Sequence, residues 1–145
     1  MMTPKRLSGE LQRRLDGPHA DEHTTWTADL AAEAIRYLNY ATGSHSPEAV
    51  TFPSTAYDIA TDLSIAARRM PQLFDQLAGW LADQLAAGML GTDSGADPAE
   101  AVAAARTHLL NAAADAARLS ADLTAVQNDL AAVNGRGPNR AGRAA

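Results

Sequence analysis

Histidine is the side chain best suited to proton transfer near neutral pH and to metal ligation. Two of the four in this chain, His19 and His23, stand four residues apart with Asp21 and Glu22 between them. On a helix that spacing puts both imidazoles on one face, where they could share a metal ion. The stretch follows Gly17-Pro18 and is polar throughout, so a flexible linker is the expectation and His19 and His23 are weak metal candidates. His45 lies among Gly and Ser, which reads as solvent exposure. His108 precedes Leu109 beside an apolar stripe, as a boundary residue does.

Other chemistry finds little to stand on. The chain has no Cys, which removes thiolate metal sites and Cys nucleophiles. Glu33, Glu48 and Glu100 are followed three residues later by Arg36, Thr51 and Ala103, so the Glu-x-x-His pairs of a di-iron bundle are missing. The zinc-protease His-Glu-x-x-His, the phosphate-cradling Gly-x-x-x-x-Gly-Lys, the dinucleotide Gly-x-Gly-x-x-Gly and the Gly-x-Ser-x-Gly elbow are absent as well. Lys5 is the one lysine, which argues against Schiff-base chemistry. No catalytic residue and no cofactor are expected, and the balance leans against an enzyme. One pocket is conceivable: a kink at Pro71 beside Arg68, Arg69, Met70, Phe74 and Trp80 could open a space between helices.

The elements that must carry these residues are helical. The 145 residues are 46% hydrophobic and only 5% aromatic, and roughly a quarter of them are Ala, the best helix former. Asp97-Pro98-Ala99-Glu100 reads as a helix start, with Asp97 as cap, Pro98 at the first position and Glu100 reaching back. Val102, Ala105, Leu109, Ala112, Ala116, Leu119, Leu123, Val126, Leu130 and Val133 then alternate three and four apart, which predicts a heptad seam over Pro98 to Val133 ending at Asn134-Gly135. A second long helix is predicted from Pro53 to about Ala87, with Ala56, Ile59, Leu63, Ala66, Met70, Leu73, Leu77, Trp80, Leu81 and Leu85 on one side and Ala60, Ala67 and Phe74 as flank. Pro71 predicts a kink near Met70 or two helices nearly end to end. Gly88 closes this helix, with Met89 and Leu90 folding back, and the short link Gly91 to Ala96 makes the two helices antiparallel neighbours.

A shorter helix is predicted over about Thr25 to Ala41 from Trp26, Leu30, Ala31, Ala34, Ile35 and Leu38, followed by a capped turn at Ser46. Leu7, Leu11 and Leu15 allow a short amphipathic N-terminal helix. The expected architecture is all-α: an up-and-down bundle built on a long antiparallel hairpin, with three main helices and a short fourth. The expected domains are an arm over 1–23, a bundle over 24–134 and a disordered basic tail over 135–145.

The formal charge of −5 divides unevenly, with about zero over 1–23, about −8 over 24–134 and about +3 in the tail. Asp115, Asp122 and Asp129 recur every seven residues beside the seam, as solvated flanks of a seam do. An acidic domain is a poor binder of nucleic acid, which leaves only accessory DNA contact through the basic ends. No apolar run is long enough to span a membrane, and a cytoplasmic protein is expected.

Tyr37-Leu38-Asn39-Tyr40-Ala41-Thr42, Phe52-Pro53 through Asp58, and Ala66-Ala67-Arg68-Arg69-Met70-Pro71-Gln72-Leu73 resemble small Ala-rich helical proteins of high-GC actinobacteria. The likeness covers about Thr25 to Val133 and implies a helical bundle, with no catalytic residue to carry over. A helix of about 17 residues cannot cover a hairpin of about 35, so apolar surface is left over. The expected function is therefore a non-enzymatic interaction or scaffold protein, acting through a protein partner or as a homo-oligomer, a dimer first of all. The alternatives are a ligand receptor or enzyme with its pocket near Met70, Phe74 and Trp80, and the accessory DNA binder.

Overall fold

A computed structural model describes Gly9, Leu11 and residues 19–135. Three long helices run through residues 19–135, here α1 (Asp21–Ala41), α2 (Pro53–Ala86) and α3 (Ala99–Leu130), and the described residues hold no strand. The all-α class and the long hairpin are as the periodicity predicts. Most of the N-terminal segment, including Leu7 and Leu15, and the basic tail from Arg136 lie outside the described residues. The chain separates into two compact units, Met1–Val50 and Thr51–Ala145, so the bundle expected over 24–134 spans parts of both.

In the first unit α1 starts four residues earlier than the apolar stripe suggests. Asp21 and Glu22 occupy its first turn, where carboxylates complement the positive end of the helix dipole. The hydroxyls of Thr24, Thr25 and Thr27 donate to carbonyls one turn back, at 3.1, 2.9 and 2.7 Å. The linker expected around His19 and His23 is thus helical from Asp21 onward, and only His19 precedes the helix. None of the residues of α1 is buried. After it, Ser46 donates its N–H to the Gly43 carbonyl and accepts from Ala49, forming turns in place of the expected capped helical turn.

The second unit is the hairpin of α2 and α3. Its direction follows from two contacts: Arg106 reaches Ala78, and Ser120 reaches Ser64, so residue numbers rise along one helix as they fall along the other. Helix α2 opens with Pro53 in its first turn and runs through Pro71 as a single element, not as two. It ends in a Schellman motif, with Gly88 at φ 69, its N–H on the Leu85 carbonyl at 3.0 Å and that of Met89 on Gln84 at 3.0 Å. Of the two residues expected to fold back after this turn, Leu90 is half-buried and Met89 is exposed.

Helix α3 is capped as expected by Asp97, whose carboxylate accepts the Ala99 N–H at 2.9 Å, although the return bond from Glu100 is not made. Its far end differs. The helix stops at Leu130, Val133 donates to Leu130 at 3.0 Å, and Gly135 does not adopt the left-handed conformation expected of it.

Candidate interaction surface

The core of the hairpin is built from small residues. Ala60, Ser64, Ala67 and Ala78 are buried on α2, and Val102, Ala113 and Ala116 on α3. On α2 the inward positions are Ala60, Ala67, Phe74 and Leu81, interleaved with Ser64, Pro71, Ala78 and Leu85, each set spaced by seven. On α3 they are Val102, Leu109, Ala116, Leu123 and Leu130, interleaved with Ala113, Ser120 and Gln127.

The seam predicted from apolar spacing is therefore corrected by one residue. On α2 the predicted row from Ala56 to Trp80 turns aside, its last members Leu81 and Leu85 stay inward, and the expected flank of Ala60, Ala67 and Phe74 is the centre. On α3 half of the predicted row, Val102 through Leu130 by sevens, is the centre, while Ala105, Ala112, Leu119 and Val126 stand beside it. One residue is 100° of helix rotation, enough to move a seam to a flank. The reason is packing: small side chains let two backbones approach closely, and polar groups at the seam then find partners across it.

Those polar groups are the feature that apolar spacing cannot reveal. The Ser120 Oγ donates to the Ser64 carbonyl at 3.1 Å, and the Ser64 Oγ donates to the Ser120 carbonyl at 3.3 Å. The Thr124 hydroxyl lies 3.1 Å from the Ser64 Oγ and itself donates to the Ser120 carbonyl at 2.8 Å. Nearer the turn, the Arg106 Nε donates to the Ala78 carbonyl at 3.1 Å. No buried side-chain N or O among the described residues lacks a partner. The signal was present in the heptad line through Ser64, Pro71 and Ala78, but polarity disguises it.

The displaced large residues collect on one side. In an antiparallel pair, positions one residue before each seam point to the same face, because the sense of rotation reverses together with the chain direction. That face holds Met70, Leu73, Leu77 and Trp80 of α2 with Leu119 and Val126 of α3. Their exposure is high for such side chains: 38% at Met70, 51% at Leu73, 54% at Trp80 and 48% at Leu119. A broad, exposed apolar surface thus lies beside the small-residue seam.

The five residues of the expected interhelical pocket divide between directions. Met70 and Trp80 stand on the apolar face, Phe74 is half-buried in the seam, Arg69 points away from α3 and Arg68 lies toward the opposite face. Two open clefts lie on the first unit. One of 540 Å³ is lined by Glu33, Arg36, Tyr37, Asn39 and Tyr40, and one of 490 Å³ by His45 to Ala49. In the former, Arg36 Nε bonds both Glu33 oxygens at 3.1 and 2.9 Å, and this hydrogen bonding, with the carboxylate charge, raises the guanidinium pKa above its usual value.

His23 lies in the first turn of α1, and His108 is exposed on α3. Nowhere among the described residues do three His, Asp or Glu side chains gather as metal ligands would. No helix of the described residues is long and apolar enough to cross a membrane. Fold and surface together define an all-α protein with an antiparallel hairpin that has a small-residue seam and an apolar face. No family model matches the chain, and neither a curated protein nor a solved structure matches it.

Proposed function

We propose that this protein is a non-enzymatic, cytoplasmic interaction or scaffold protein that works by self-association or by binding a partner helix on the apolar face of the hairpin. The observation that carries this reading is the one-residue offset between the small-residue seam and the row Met70, Leu73, Leu77 and Trp80, which leaves large side chains half in water. Fully burying a Leu is worth about 1.5–3 kcal/mol, so covering even the exposed halves of several such residues supplies a usable driving force for association. The alternatives, a ligand pocket near Met70, Phe74 and Trp80 or DNA contact through the basic ends, gain no geometric support of this kind.

Sedimentation velocity and affinity purification from the native cells, with wild type beside Leu77→Ser/Leu119→Ser, test the reading. Self-association, or a stoichiometric companion, is expected for wild type and lost in the variant while helicity by circular dichroism is retained. A wild type that stays monomeric, with companions identical to those of the variant, overturns it.

A further inference from the structure

The apolar face has an asymmetric rim. On α3 the positions next to Ala112, Leu119 and Val126 on the same side are His108, Asp115, Asp122 and Asp129, all exposed. Asp115 is engaged by Arg118 at 2.8 Å, whereas Asp122 and Asp129 take part in no ion pair or side-chain hydrogen bond among the described residues. They stand seven residues apart, about 10 Å along the helix. On α2 the matching outer positions are Ile59, Ala66, Leu73 and Trp80, without charge. The face thus has carboxylates along one edge and hydrocarbon along the other, and no Arg or Lys on it.

Charge selects among occupants. Between Thr51 and Gly135 there are ten Asp and Glu against four Arg. Arg106 donates to the Ala78 carbonyl and Arg118 binds Asp115, which leaves Arg68 and Arg69, both off this face. A second copy docking the same face of its hairpin would bring none of the four arginines between Thr51 and Gly135 to Asp122 or Asp129, and would add its own acidic rim. A helix with an apolar stripe edged on one side by Arg or Lys at a spacing of seven satisfies the hydrocarbon and the carboxylates together, with the charges setting orientation and encounter rate.

We infer that the occupant of this face is an amphipathic helix of another protein, carrying a row of Arg or Lys along one edge of its apolar stripe and laid so that those cations lie over Asp122 and Asp129. The inference rests on the interaction reading above and names the partner class. The probes are two labelled synthetic peptides of about 21 residues, three heptads with a Leu seam, one with Arg and one with Glu at the edge position. Each is titrated into the full-length protein by fluorescence anisotropy at about 0.05 and about 0.5 M salt, which span weak and strong screening.

The Arg peptide is expected to bind about tenfold more tightly than the Glu peptide at low salt, with the difference shrinking at high salt. Asp122→Asn/Asp129→Asn is expected to abolish the difference while leaving the Glu peptide unchanged, and Leu77→Ser/Leu119→Ser to weaken both peptides. Equal binding of the two peptides that the Leu77→Ser/Leu119→Ser variant still weakens overturns the basic-row inference and leaves the interaction face standing. So does a dimer whose dissociation that variant alone produces. Peptide binding indifferent to the Leu substitutions overturns the face itself.

Discussion

Ser64 and Ser120 are bonded reciprocally across the hairpin, each hydroxyl donating to the other residue's backbone carbonyl, at 3.3 and 3.1 Å. A serine hydroxyl is short, so this exchange requires the two helix backbones to lie close together, and the buried alanines on either side allow it. The pair specifies register, because sliding one helix along the other would strip both hydroxyls of their acceptors in a half-dry seam.

Replacing Ser64 by Ala is expected to lower hairpin stability by about 1 kcal/mol, the net worth of a typical hydrogen bond. Ser120→Ala is expected to lose a similar amount. Since the two share one network, the double variant should lose less than the sum of the singles, with a coupling of about 0.5–1 kcal/mol. Urea unfolding of the four proteins in the cycle measures this, and strict additivity would count against a shared network.

The one-residue correction of the seam makes opposite forecasts for neighbouring positions. Ala67 is 1% exposed, so Ala67→Leu is expected to destabilise by about 1–3 kcal/mol through overpacking. Leu73→Ala, at a half-exposed position, is expected to change stability by less than about 1 kcal/mol. Were the apolar row the true seam, the ranking would invert, and thermal unfolding of both variants decides between the two.

Pro71 lies inside α2 without dividing it. It has no N–H to give the Ala67 carbonyl, and a proline within a helix is unfavourable by about 3 kcal/mol relative to Ala. Some packing is lost with the half-buried ring, so Pro71→Ala is expected to stabilise the protein by about 2 kcal/mol. A rise in Tm with unchanged association supports a purely structural proline, whereas a loss of association at raised stability would tie it to the binding face.

Two glycines on α2 and its end should respond with opposite signs. Gly88 has φ 69 and open space around it, so Gly88→Ala meets only conformational strain, expected to destabilise by about 1 kcal/mol. Gly79 is helical, with nothing within 4 Å of an added Cβ, so Gly79→Ala is expected to stabilise by about 1 kcal/mol. Differential scanning calorimetry on the pair checks both signs.

Composition and periodicity determined the helices of this protein to within a few residues. An Ala-rich chain punctuated by Pro53, Gly88 and Asp97-Pro98 has little alternative to two long helices joined by a short link, because capping and propensity act locally. Spacing also brought forward Met70, Phe74 and Trp80 as residues of interest, and two of them stand on the exposed face. Which side of each helix faces inward was not local. Hydrophobicity ranks Leu73 and Leu77 above Ala67 and Ser64 for burial, yet only small side chains permit the close approach at which Ser64 and Ser120 exchange hydrogen bonds. That preference arises from the two backbones acting on each other, so the tertiary structure alone decided the seam, and with it which large apolar side chains stay exposed.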